Sequence, residues 1–234
     1  MKVAIMQPYI FPYIGYFQLI NAVDTFVFFD DVNFIKKGFI NRNNLLIKGE
    51  RSPFTISCKK ISQNKFINKT ELNFDSKEIS KLLFTIKHNY NKAPYFKNIY
   101  PLLENFFCLD NKKTISVMAA ESTMLVAKYL NLNTTFKYSS ISHHDSISLK
   151  GENRIITICK KEKAIQYINP IGGVDLYEKP KFKVHNIDLN FLKPNAIPYK
   201  QFNNDFVPWL SIIDVLMFNS INSVKQLLNN YELL

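Results

Sequence analysis

The chain has 234 residues, 47% hydrophobic and 21% charged, a balance that can bury a core and excludes a disordered polar segment. Its formal net charge of +11 favours anionic partners: nucleotides, sugar phosphates, tRNA, an acidic carrier protein or a membrane face. Three scattered cysteines with no C-x-x-C pair argue against a zinc ribbon or a disulfide framework.

Lys2 to Met6 reads as a short buried strand, and Gln7 to Ile14, interrupted by Pro8 and Pro12, as a loop. Gly15 opens an amphipathic segment from Tyr16 to Val23, followed by a second apolar strand, Phe26-Val27-Phe28-Phe29. Strand, loop, helix and strand form a βαβ unit, which implies parallel strands. Asp30 to Phe39 reads as extended. A hairpin is expected from Leu45 to Lys48 and Phe54 to Cys58 about a Gly49-Glu50 turn. Three helices follow, at about Ser76 to Tyr90, Phe96 to Phe107 and Thr114 to Leu130. The pattern then predicts a strand at Thr135 to Tyr138, a helix at Lys150 to Lys161, and strands at Gln166 to Ile168 and Ile187 to Leu192. Terminal helices are expected at Ser211 to Asn219 and Ser220 to Tyr231. The expected fold is α/β: a central, mostly parallel sheet flanked by helices, with an inserted hairpin and helical segment. One domain over residues 1–234 is expected, with a helical subregion at about 76–130. No signal-peptide pattern and no apolar stretch of membrane-spanning length occur, so the expectation is a cytoplasmic protein without membrane insertion.

Three clusters carry chemistry. The first is Gln7-Pro8-Tyr9 through Pro12-Tyr13-Ile14-Gly15-Tyr16, at the carboxyl end of the first strand and the start of a helix, where open α/β sheets place ligands. Gln7, Tyr9, Tyr13, Gly15 and Tyr16 are its candidate binding residues. The layout is similar to nucleotidyltransferases of the HIGH superfamily, in which such a loop holds ATP phosphates. That family's two histidines are absent here, with Pro12 and Tyr16 standing about where they would fall.

The second cluster is Asp30-Asp31, Lys36-Lys37-Gly38 and Asn41-Arg42-Asn43. Neighbours in an extended segment face opposite ways, so one aspartate is expected to face the site. A carboxylate beside an amine can take its proton or hold an ammonium group, and Lys36, Lys37 and Arg42 suit phosphate, Arg42 as a bidentate fork. The third cluster comprises Lys150 and Arg154, four apart on one predicted helix face, and Asn169-Pro170-Ile171-Gly172-Gly173 with Tyr177 after a strand. The two cations form a candidate phosphate clamp, and Gly172-Gly173 suits a close-packed ligand or a plain turn. Elsewhere, His143-His144 reads as a surface loop pair, Cys159 as core, and Asp214 as a carboxylate buried within an apolar helix. No metal site is indicated.

Together these segments resemble the WbqC-like protein family of bacterial surface-polysaccharide gene clusters, nearly end to end. The resemblance rests on Met6-Gln7-Pro8-Tyr9, Pro12-Tyr13-Ile14-Gly15-Tyr16-Phe17-Gln18-Leu19-Ile20, Asp30-Asp31-Val32, Phe34-Ile35-Lys36, and Gly38 with Ile40-Asn41-Arg42-Asn43. It continues in Gly151, Arg154-Ile155, Tyr167-Ile168-Asn169-Pro170, Gly172-Gly173, Leu176-Tyr177 and Ser211-Ile212-Ile213-Asp214. Phe39 stands where the family commonly has tryptophan. Members have been suggested to be glycine transferases, so the resemblance implies transfer of a glycyl or related acyl group to the amine of a nucleotide-linked amino sugar. The protein roles then fall to Asp31 or Asp30 as base, Asn41 or Asn43 as oxyanion donors, and Lys36, Arg42, Lys150 and Arg154 as phosphate contacts. No cofactor is identified. With no ATP motif, a preactivated glycyl donor is expected, glycyl-tRNA or a carrier-protein thioester, and tRNA or an acyl carrier protein becomes a partner beside the sugar nucleotide. The alternatives are a non-catalytic sugar-nucleotide-binding or scaffolding subunit and a nucleotidyltransferase-like ATP-dependent enzyme.

Overall fold

A computed structural model describes residues 1–108, 112–202 and 205–234. The chain begins with β1 (Lys2–Met6), α1 (Ile14–Asn21) and β2 (Thr25–Phe28), and the two strands pair in parallel from Val3 opposite Thr25 to Met6 opposite Phe28. An antiparallel hairpin, β3 (Arg42–Ile47) and β4 (Glu50–Thr55), turns at Lys48-Gly49, both with positive φ. Three helices follow: α2 (Ser76–Tyr90), α3 (Phe96–Cys108) and α4 (Ile115–Tyr129). Asp75 and Glu78 form a capping box that starts α2. The chain re-enters the sheet at β5 (Thr135–Tyr138), then runs through α5 (Ser139–Ser142), α6 (Gly151–Lys161), β6 (Gln166–Pro170), α7 (Lys179–Lys183) and β7 (Asp188–Pro194). It ends with α8 (Ile212–Phe218), α9 (Ile221–Leu228) and β8 (Tyr231–Leu233).

The main sheet runs β5-β2-β1-β6-β7-β8, parallel except for β8. From β1 the chain builds outward to β2 and β5, then returns to place β6 on the other side of β1. That reversal is a topological switch point, where the crevice beyond the strand ends receives ligands. Strand residues alternate between two apolar layers: Val3, Ile5, Val27 and Tyr167 face α6 and α7, while Ala4, Phe26, Phe28 and Ile168 face α1, α4, α8 and α9. The hairpin and α2 to α4 join the second layer. No helix among the described residues is long and apolar enough to cross a membrane.

Three expectations differ locally. The hairpin turns at Lys48-Gly49, where both residues take positive φ, instead of at Gly49-Glu50, so its second strand is Glu50–Thr55 instead of Phe54 to Cys58. Asp30 to Phe39 forms no strand, because its backbone groups go to the neighbouring segment 65–68 and to its own turn at Ile35 to Gly38. The last helix stops at Leu228, where Asn229 and Asn230 turn the chain back and Tyr231–Leu233 covers the free edge of β7.

Asp214 of α8 is fully buried and has no cationic partner among the described residues; it accepts hydrogen bonds from Tyr90 Oη at 2.9 Å, Tyr199 Oη at 2.6 Å and Gln201 Nε2 at 2.7 Å. Tyr90 Oη in turn accepts the Leu46 N–H at 2.7 Å. One carboxyl thus ties α8 to α2, the hairpin and the segment after β7. Burial holds it above the usual carboxylate range, although the three donors pull it down. A carboxyl raised in the folded state stabilises the fold at acid pH, and that contribution is lost as pH climbs through its folded value. Asp214→Asn should therefore flatten the dependence of urea stability on pH above the usual carboxylate range; an unchanged slope would place that titration elsewhere. Asp214→Leu should destabilise by about 1–3 kcal/mol for each donor left buried and unpaired.

Candidate active site

Beyond β1 the chain passes through a left-handed turn at Phe11, φ 38°. At a bulky residue such a backbone is disfavoured by about 1–3 kcal/mol, and three side chains hold it. Ser122 Oγ accepts the Phe11 N–H at 2.9 Å, and Asn43 Nδ2 and Ser211 Oγ both donate to the Phe11 carbonyl at 2.7 Å. The Phe11 ring is fully buried, edge-on to Phe106. Further along, the Tyr13 ring lies where a Cβ on residue 15 would project, so the glycine near the start of α1 lets the phenol pack directly over the backbone.

This loop forms one wall of a pocket of about 420 Å³ at the carboxyl ends of β1, β6 and β7. Met6, Pro170 and Pro194 close it from the strands, Gly15 and Tyr16 from α1, and Ile171 and Gly172 from the turn after β6. Five aromatic residues surround the space: Tyr9, Tyr13, Tyr16, Phe39 and Trp209. Tyr9 lies 5.6 Å from Tyr16 and 6.3 Å from Phe39 between ring centroids, and Tyr13 meets Trp209 edge-on at 5.9 Å. Trp209, the protein's single tryptophan, also has a left-handed backbone, φ 61°. A wider groove of about 940 Å³ lies by the amino ends of β6 and β7 beside α7, at the opposite end of the sheet from the switch point's crevice.

Among the described lining residues of the aromatic pocket none is Asp, Glu, His, Lys or Arg. Burial pushes the Tyr9 phenol up to about 12, reinforced by Tyr13, and raises Tyr13 and Tyr16 as well. These hydroxyls therefore keep their protons and serve as hydrogen-bond donors; Tyr16 Oη already donates to the Gln7 carbonyl at 2.8 Å. A ring-shaped ligand with hydroxyl or amide edges suits such a lining.

Asp30 and Asp31 do not line the pocket. Both are buried in a second polar system at the carboxyl ends of β2 and β5. Asp30 accepts from Ser140 N at 3.0 Å, Ser140 Oγ at 2.7 Å, Ser139 Oγ at 3.2 Å and Ser116 Oγ at 3.3 Å. Asp31 pairs with Arg154 Nη2 at 2.5 Å and also receives Ser139 Oγ. Arg154 is itself buried, stacked 4.7 Å from the Phe29 ring centroid. The expected phosphate clamp therefore splits, because Lys150 is exposed at the head of α6 while Arg154 turns inward. Neither aspartate is singled out to face a ligand, since the chain turns here instead of running extended.

His143 departs further from expectation. It is buried, with Nε2 3.0 Å from Glu162, which also binds Lys137 Nζ through both oxygens at 2.8 Å. Desolvation lowers the His143 pKa, against the pull of Glu162. The remaining candidates lie at or near their segments' turns. Asn41 donates to the Ile56 carbonyl at 2.9 Å, Arg42 to the carbonyls of Gly38, at 3.0 Å, and Lys37, and Lys36 is exposed. Asn169 accepts from Tyr167 Oη at 3.0 Å, and its amide fills the space where a Cβ on Gly173 would go. Tyr177 packs edge-on to Tyr167 at 6.0 Å. The structure thus brings Tyr9, Tyr13, Gly15, Tyr16, Asn43 and Gly172 together and adds Phe39 and Trp209. Trp209 carries no spacing or motif that marks it; being the only tryptophan, after a proline in a loop, was the available signal.

A family model described as the WbqC-like protein family matches residues 7–226. The chain is 26% identical over 221 residues to the uncharacterized protein Rv1507c of Mycobacterium tuberculosis, covering 93% of each chain. No solved structure matches.

Asn43→Ala and Ser211→Ala each remove one donor from the Phe11 carbonyl and should each destabilise by about 1–3 kcal/mol. Because the two share one acceptor, the double variant should depart from additivity by about 0.5 kcal/mol or more. Urea unfolding of the four proteins measures this, and strictly additive losses would show that the carbonyl is not a common anchor.

Proposed function

The chain belongs to the WbqC-like protein family, and from that premise we propose that it is a transferase attaching a glycyl or related acyl group to the amine of a nucleotide-linked amino sugar in surface-polysaccharide biosynthesis. The observation that carries this reading is the uncharged aromatic pocket at the switch point of a parallel sheet. Aromatic faces suit the apolar face of a sugar ring or base, and the switch point suits a nucleotide.

The acceptor amine must be neutral to react. In water an amino sugar is largely an ammonium ion, and burial away from counter-charges disfavours that charged form. A pocket without a lining carboxylate therefore favours loss of the proton on entry and does part of a base's work by desolvation. The nitrogen then attacks the acyl carbon of a preactivated donor. The new C–N bond forms as the C–S bond of a thioester or the C–O bond of an aminoacyl ester breaks; one of the two amine protons passes to the leaving thiolate or alkoxide and the other stays on the amide nitrogen. Tyrosine hydroxyls that keep their protons are suited to the tetrahedral oxyanion. Asp30, Asp31 and Arg154 act in this reading as the buried support of the β2–β5 side. The cytoplasm is the compartment that supplies both substrates.

The absence of an acid or base among the described lining residues favours, as second reading, a subunit that binds a sugar nucleotide without turning it over. Incubation of the purified protein with nucleotide-linked amino sugars and a panel of glycyl donors, followed by mass spectrometry, decides between them. The expected result is a mass gain of one glycyl residue, reduced at least ~10-fold in Tyr13→Ala and Trp209→Ala. Tight sugar-nucleotide binding without product from any donor would establish the second reading, and neither binding nor product would sink both.

A further inference from the structure

Because β1, β2, β5, β6 and β7 are parallel, the segments that follow them emerge along one edge of the sheet, the edge on which the pocket opens. Large apolar side chains stand in solvent along this edge. Ile35 and Phe39 follow β2 and are each 48% exposed, Ile141 follows β5 at 77%, and Leu176 follows β6 at 68%. Trp209, after β7, completes the rim. Ile35, Ile141 and Leu176 belong to neither hydrophobic layer of the fold.

Charge is distributed unevenly beside them. Residues 32–49 contain no Asp or Glu, and neither do residues 57–70. The two segments run side by side, Phe34 N–H donating to the Lys65 carbonyl and Ile67 N–H to the Val32 carbonyl, both at 2.9 Å. Lys36 and Lys37, between Ile35 and Phe39, are exposed, as are Lys60 and Lys69 in the second segment. Of the acids nearby, Glu71 pairs with Lys59, Glu178 with Lys181 and Asp145 with Lys161, while Asp175, beside Leu176, and Asp205, four residues before Trp209, are exposed but lie away in sequence from the basic segments.

We propose that this edge docks onto an anionic phospholipid surface, with Ile35, Phe39 and Leu176 entering the headgroup layer and Lys36 and Lys37 meeting lipid phosphates, so that the pocket opens against the membrane. Cations flanking exposed apolar side chains are the pattern of peripheral membrane binding, since burial of the apolar groups and attraction to anionic lipid act together. Trp209 suits the same interface, where an indole is apolar on its faces and polar at its N–H. Three of the apolar groups are aliphatic and come from separate segments around a mouth. Aliphatic tips supply no stacking platform for nucleic acid, and their separation offers no single apolar groove for a partner helix.

The test is flotation of the full chain with phosphatidylcholine vesicles, with and without phosphatidylglycerol, at low and high salt. The single tryptophan reports depth through its emission maximum. Flotation only with the anionic vesicles, lost at high salt and accompanied by a blue shift, is expected. Lys36→Glu with Lys37→Glu should weaken partition on the order of tenfold or more, and Ile35→Ser with Leu176→Ser should abolish the blue shift while circular dichroism stays unchanged. Equal binding to neutral vesicles, no flotation with anionic ones, or binding untouched by both variant pairs would overturn the proposal. So would quenching of the tryptophan by tRNA in a protein that ignores vesicles. Vesicle binding is read without turnover, so its failure leaves the transfer reading of the pocket untouched.

Discussion

The pocket depends on one peptide carbonyl. Phe11 sits in a backbone conformation that a phenylalanine does not adopt unaided, and the hydrogen bonds that hold it come from the hairpin, from α4 and from the head of α8. Tyr9 and Tyr13 take their positions from the path that Phe11 sets, and the Tyr13 phenol packs over Gly15 near the start of α1. An amide and a hydroxyl acting on one carbonyl oxygen use both its lone-pair directions. The loop is thereby rigid without any residue of the loop itself supplying a polar side chain. This is the arrangement expected of a binding site whose geometry is set by surrounding structure.

Two buried acidic centres serve the pocket from outside it, and they differ in electrostatic kind. Asp214 has only neutral donors among the described residues, and they offset part of the cost of its burial. Asp31 has an arginine and is a paired anion. A buried pair contributes little net stability, yet leaving one partner alone is strongly unfavourable. Its value here lies in fixing the segment after β2 against α6. The charges that the fold needs are thus spent behind the walls, and the cavity lining is left neutral.

Much of the architecture is legible in the chain because apolar periodicity reports burial directly. Ser76 to Tyr90 and Thr135 to Tyr138 coincide with elements of the structure, and Asp214 stands out as a charge within an apolar helix. The first cluster is legible by the same logic, as a stiffened loop at the end of a first strand. Side-chain partnership across long separations is not legible. Arg154 shares a helix with Lys150, and only the position of Asp31 in space shows that it turns inward. His143 reads as surface because its neighbours in sequence are polar, while its burial comes from Glu162 and the packing of α6. Trp209 reaches the pocket through a left-handed residue, a conformation that no sequence pattern predicts for tryptophan.

The central strand also has a consequence in time. β1 takes β2 as one neighbour from early in the chain, but its other neighbour is β6, with Lys2 opposite Gln166, and the loop behind it is tied to Ser211. Contacts of such sequence separation form slowly, since a long loop must close before they reward the chain. During synthesis the segment that carries most of the pocket can meet β2, the hairpin and α4 early, but its enclosure is complete only when β6 and then α8 follow. The pocket is therefore among the last parts of the fold to be completed, although most of its lining precedes the elements that complete it.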